Sequence, residues 1–222
     1  MPSRRDWVRW PSRRIYEEKL LQRFHWREGG KGAHVAALKC WIALAHLYDQ
    51  ETGGVRASYD TLGEITGMGR GQIAEGLRVL KAFEIISDGK TRGTYQMTGF
   101  DPHAGWAMLP WRSLYKWKAI AMFQNMSGRM PVHLDALKLF LLFAARRDTN
   151  TNTANITYDQ IVELSGVPKS RISSAVSFLA ANQVLMVESR PSEKSEYGVS
   201  NGYRLRGVDA YRHRGTLGRA SL

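Results

Sequence analysis

The chain repeats itself, and any fold it adopts must accommodate that. Sliding the sequence along its own length gives one clear register, a shift of 99 residues that carries Trp7 to Trp106, Pro11 to Pro110, Arg13 to Arg112 and Tyr16 to Tyr115. The match continues through Phe24/Phe123, Gly29/Gly128, His34/His133, Ala37-Leu38-Lys39/Ala136-Leu137-Lys138, Asp49/Asp148, Tyr59-Asp60/Tyr158-Asp159, Glu64/Glu163, Gly67/Gly166, Ile73/Ile172 and Leu80/Leu179. About twenty identities over some 84 ungapped positions stand well above the few per cent expected by chance. An insertion of about nine residues around 191–200 breaks the register, after which Tyr95 matches Tyr203 and Met97 matches Leu205. Because the one large insertion falls in a polar, Ser-rich segment, the matched part is expected to be packed structure and the insertion a surface loop. The copies meet near Gly99 to Gly105, where Gly, Asp and Pro cluster, and so short a linker should leave them touching.

Within each copy the periodicity predicts helix, helix, turn, helix and hairpin. A first core helix, roughly Val35 to Tyr48, places Leu38, Trp41, Ile42, Ala45 and His46 at helical spacing; its counterpart is roughly Leu134 to Arg147. A short helix then begins after Ser58 or Thr157 as N-cap, with Thr61 or Gln160 three residues on, and Gly67 or Gly166 ends it in a left-handed turn. A third helix follows over Arg70 to Ala82 and Lys169 to Ala181, with Ile73, Leu77 and Leu80, or Ile172, Val176 and Leu179, facing inward. Short strands at Glu84 to Ser87 or Val184 to Glu188, and through Tyr95-Gln96-Met97 or Tyr203-Arg204-Leu205, describe a β-hairpin.

The segments Gly67-Met68-Gly69-Arg70-Gly71-Gln72-Ile73 with Leu77, Leu80 and Ile85-Ile86, and Gly166-Val167-Pro168-Lys169-Ser170-Arg171-Ile172 with Leu179 and Val184-Leu185, resemble the winged helix-turn-helix pattern of many bacterial regulators. The architecture is also similar to that of plasmid replication initiators, which carry two such units. The resemblance implies an α+β, helix-rich fold of tandem winged units forming an internal pseudo-dimer, and it implies DNA binding. Two departures stand out. The family usually has glycine before the final apolar pair, where this chain has Glu84 and Gln183, so a left-handed helix end there costs roughly 1 kcal/mol. It often has a capping Ser where this chain has Gly69 and Pro168, and proline suits a first helical turn.

The charge agrees with a polyanionic partner. Lys and Arg outnumber Asp and Glu by 32 to 20, a formal charge of +12 and a pI near 10.0. Cys40 is the only cysteine, in an apolar run, and so is expected to be a small core residue in a reducing compartment. Neither a membrane-length apolar stretch nor a signal-peptide core is present, which predicts a cytoplasmic protein. Six scattered histidines, with no metal-ligand spacing, Walker loop or dinucleotide fingerprint, predict that it is not an enzyme and has neither cofactor nor small-molecule ligand.

A recognition helix offers its N-terminal, solvent-facing residues to base edges. In the first copy these are Arg70, Gly71, Gln72, Ala74 and Glu75, with Arg78 further along; in the second, Lys169, Ser170, Arg171, Ser173 and Ser174. Arg and Lys suit guanine and Gln suits adenine, and the two sets differ, so two dissimilar half-sites are expected. Wing residues Lys90, Thr91 and Arg92, with Arg190 and Lys194 in the longer second wing, would lie along phosphates. Arg4, Arg5 and Arg9 could add phosphate contacts from a basic N-terminal segment. Trp7 and Trp106, which recur where no free arm exists, are expected to pack against their own copies.

The sequence thus divides as a first winged unit over 1–100, a second over 105–208 and a basic tail over 209–222. Its expected partner is double-stranded DNA, with a homodimer or other nucleoprotein partners also open, in transcription control or at the origin or transfer site of a plasmid or phage. The competing reading is a winged-helix adaptor for protein contacts in a larger nucleoprotein complex.

Overall fold

The computed structural model describes residues 6–26, 32–101, 103, 105–148, 150–191 and 199–208. Arg4, Arg5, Lys194, the side chain of Arg190 and the tail lie outside the described residues. The architecture is mixed α/β. The first half runs β1 (Trp7–Pro11), α1 (Arg13–Glu17), a 3-10 turn (Leu20–Arg23), α2 (Ala33–Leu47), β2 (Gly54–Arg56), α3 (Tyr59–Thr66), α4 (Arg70–Ala82), β3 (Ile86–Asp88) and β4 (Thr94–Met97). The second runs β5 (Trp106–Pro110), a 3-10 turn (Arg112–Leu114), β6 (Tyr115–Lys116), β7 (Ala119–Ile120) and α5 (Ala121–Gln124). It continues with α6 (Pro131–Arg146), β8 (Ala154–Asn155), α7 (Tyr158–Ser165), α8 (Lys169–Ala181), β9 (Leu185–Pro191) and β10 (Val199–Leu205).

Local chemistry sets the helix boundaries. The Ser58 hydroxyl oxygen accepts the Thr61 amide at 3.0 Å to start α3, and Thr157 and Gln160 exchange side-chain and backbone bonds of 3.3 and 3.1 Å to start α7. Gly67 and Gly166, at φ 70° and 68°, end these helices by donating to the Gly63 and Val162 carbonyls. Helices α4 and α8 close with a non-glycine residue in the left-handed region, Glu84 at φ 55° and Gln183 at φ 59°, while Ile85 and Val184 donate back to Leu80 and Leu179. The first hairpin strand therefore starts at Ile86 and its counterpart at Leu185, later than the apolar pattern alone predicts. Each hairpin gains a third strand that the sequence reading missed, giving antiparallel orders β2-β4-β3 and β8-β10-β9.

The halves share one hydrophobic core. Strand β1 pairs antiparallel with β5 so that Trp7 faces Pro110, Pro11 faces Trp106 and, at the centre, Arg9 faces Met108. The repeat maps the Trp7–Pro110 pair onto the Trp106–Pro11 pair and Arg9 onto Met108, so a local two-fold axis passes between Arg9 and Met108. Trp7 and Trp106 stack on each other with centroids 6.1 Å apart and planes 11° apart, rather than each packing on its own half. The physical reason is proximity to the axis, which brings a residue against its own copy.

Further contacts obey the same symmetry. Lys39 donates to the Phe123 and Met126 carbonyls at 3.0 and 2.9 Å, and Lys138 donates to the Phe24 carbonyl at 3.0 Å. Lys19 pairs with Glu163 at 2.9 Å and Lys118 with Glu64 at 3.6 Å. Helix α2 is buried on every side from Ala33 to His46 because it packs on α4 and α3 in its own half and on α6 across the axis.

Candidate nucleic-acid interface

Helix α4 is seated on α2 by Gly76, where a Cβ atom would stand 2.8 Å from the Ala36 carbonyl group. That close approach, with Ile73, Leu77 and Leu80 inward, turns Arg70, Gly71, Gln72, Ala74 and Arg78 to the solvent. Arg70 pairs with Asp60 of α3 at 2.8 Å, and Lys169 pairs with Asp159 of α7 at 3.0 Å, so both helices begin with a cation held by the preceding helix. These pairs are exposed and each contributes only about 0.2–1 kcal/mol, so a polyanion can compete for the cation.

The remaining residues divide by what they touch. Gln72 turns back to accept the Gly69 amide at 3.2 Å, closing the start of α4, and Glu75, half-buried, pairs with Arg78 at 2.6 Å. Ser170, Ser173 and Ser174 of α8 are exposed. Arg171 is bound instead to Asp135 of α6, with Nε 3.0 Å from one carboxylate oxygen and a second nitrogen 3.3 Å from the other. The Asp135 side chain is only 3% exposed. Arg171 thus anchors α8 to the core. The corresponding pair in the first half is Gln72 and Ala36, and the missing carboxylate there frees Gln72 to cap its own helix.

The first hairpin brings Lys90, Thr91 and Arg92 to the start of α4. Together with Arg70, Lys81 and Tyr95 they line a groove of about 650 Å³ between hairpin and helices. Lys81 is held by Asp88 at 2.6 Å, and Thr91 and Thr94 hydrogen-bond to shape the turn. In the second half, β9 and β10 pair from Leu185 with Leu205 out to Pro191 with Val199, which makes a longer hairpin and places Arg190 on its outer part. Arg9 does not belong to a basic arm. It sits at the centre of β1, half-buried, with its guanidinium carbon 5.0 Å from the Trp106 ring centroid.

Two features escaped the sequence reading. Gln124 at the end of α5 and the loop carrying Ser127 and Arg129 border a second groove of about 650 Å³ with Gly67, Met68 and Gln72, so the second half contributes to the surface around the first half's turn. Trp117, between β6 and β7, is 93% exposed. The available signal for Trp117 was its position opposite Glu18 in the repeat, flanked by lysines; Arg129 lies opposite Gly30 and gave none.

Buried titratable groups serve packing. His46 bridges the Tyr115 hydroxyl at 3.1 Å and the Pro110 carbonyl at 2.9 Å across the axis, and burial pushes its pKa down to about 3, so the ring is neutral. His34 Nδ1 accepts the His25 amide at 2.7 Å, and His133 Nδ1 lies 2.5 Å from the Ser127 carbonyl, so each ring meets the backbone of a residue that precedes its own helix. Burial pushes the Cys40 thiol up to about 12. Among the described residues, no group of three or more His, Cys, Asp or Glu could hold a metal ion, and no helix is long and apolar enough to cross a membrane. The chain matches no protein-family model and no curated protein.

Proposed function

We propose that the chain is a sequence-specific double-stranded-DNA-binding protein, built from two tandem winged helix-turn-helix units that read dissimilar half-sites of one duplex. The observation that carries this reading is a motif present twice. An eight-residue helix, a left-handed glycine, a thirteen-residue helix with one solvent face that opens on a cation and a three-stranded sheet recur on either side of a local two-fold axis. Dimeric helix-turn-helix proteins use such an axis to set two reading helices on successive turns of the major groove, about 34 Å apart. Here the axis lies inside one chain, so the two readers differ: Gly71, Ala74 and Arg78 on one side, Ser170, Ser173 and Ser174 on the other.

On this reading, backbone phosphates draw Arg70 and Lys169 away from Asp60 and Asp159. Lys90 and Arg92 hold the phosphates beside the first reading helix, and Arg171 fixes the pose of the second. A regulator of transcription and a factor bound at an origin or transfer site of a plasmid or phage are both served by this machinery. Titration of fluorescent duplexes across a series of salt concentrations is the test. Affinity should fall steeply and log-linearly with salt, and Lys90→Ala combined with Arg92→Ala should flatten the slope by about 2 while binding to all sequences weakens alike. An undetectable affinity at low salt would exclude DNA binding and favour a protein-docking adaptor, and a salt-independent one would remove the phosphate contacts assigned to Lys90 and Arg92.

A further inference from the structure

Trp117 occupies the turn between β6 and β7 with φ 61°, a left-handed backbone that a bulky L-residue rarely adopts, and it is 93% exposed. Large aromatics normally serve as buried anchors, and nothing in the packing of this half uses this one. Lys116 and Lys118 flank it, both exposed. The hairpin is held against the opposite half, with β7 packing on α3 and Lys118 pairing with Glu64 of that helix at 3.6 Å.

Its placement relative to the reading surface follows from helix geometry. Glu64 lies four residues beyond Asp60, on the same face of α3 and about 6 Å along its axis. Asp60 holds Arg70 and Glu64 holds Lys118, so the indole and the first reading helix border the same exposed face of α3. The copy opposite has Glu18 instead of Trp117, so the feature is one-sided.

We propose that the Lys116-Trp117-Lys118 tip is a base-stacking wedge. It engages the duplex beside the site occupied by α4, the lysines straddling phosphates and the indole entering an opened base step. An aromatic platform between cations is the chemistry that unstacked bases bind, and an inserted apolar side chain kinks the duplex. The inference rests on the DNA-binding reading and makes the complex asymmetric, with one bent and one unbent half-site.

The test uses the full chain and a mixed-sequence duplex three helical turns long, end-labelled for energy transfer, at low salt. Difference spectra between wild type and Trp117→Phe isolate the Trp117 emission. Acrylamide should quench that emission in free protein, and saturating duplex should shield it. Trp117→Gly, which suits the left-handed turn, should keep or raise the thermal midpoint, bind the duplex about ten-fold more weakly and abolish the bend. If the wild type binds and bends the duplex while Trp117 stays quenchable and the glycine variant matches it, the wedge is wrong and the DNA-binding reading stands. If the wild type does not bind, both fall.

Discussion

Glu84 and Gln183 hold equivalent left-handed positions at the ends of α4 and α8, where glycine would fit without strain. Glu84→Gly and Gln183→Gly should each stabilise the fold by about 0.5–1 kcal/mol, raising the thermal midpoint. A fall in the midpoint for both would mean that their side chains matter more than their backbone. Arg171 leads to the opposite expectation. Arg171→Ala strands the buried Asp135 carboxylate and should lower stability by about 2 kcal/mol, whereas Arg70→Ala breaks only an exposed pair and should leave the midpoint nearly unchanged; denaturant melts of the two variants make the comparison. Residue types alone made Arg171 a guanine reader. Its true partner lies 36 positions away on α6, a distance in sequence that no local pattern spans. Ser58, Thr157, Gly67 and Gly166, by contrast, were legible because caps and turn glycines act on their immediate neighbours.

At the scale of elements, α3, α4, α7 and α8 start where their caps and turn glycines place them, since amphipathic spacing and local hydrogen bonds suffice to define them. What could not be read was which faces meet across the axis. Strands β1 and β5 have no partner until the halves assemble, and Lys39, a charged side chain outside the apolar set of its helix, is only 4% exposed. Lys39 and Lys138 also provide a pH signature of the interface. Burial pushes their ammonium groups down from 10.5 to about 8. Between these values the unfolded chain keeps a proton that the folded chain has released, so stability rises with pH there and is flat below. Relative to Lys39→Met, the wild type should gain about 1.4 kcal/mol per pH unit across that window. Parallel pH curves for the two proteins would place the Lys39 ammonium in solvent and dissolve the proposed bond to the opposite half.

For the whole molecule, the repeat in the sequence becomes a two-fold arrangement with a single shared core, and the charge of +12 is carried by a chain in which α4 and α8 each present one face to solvent. The mixed α/β class and the presence of two similar halves follow from periodicity and self-match. Their mutual orientation does not, because it depends on Trp7 meeting Trp106, His46 meeting Pro110, and reciprocal lysine bonds that form only in the assembled chain. The central claim is that one chain places two different readers on one duplex. Hydroxyl-radical footprinting on a site selected from random sequence tests it most directly. Two protected patches about one helical turn apart are expected, with Arg70→Ala weakening one and Lys169→Ala the other. A single patch, or equal loss of both from either substitution, would contradict the account.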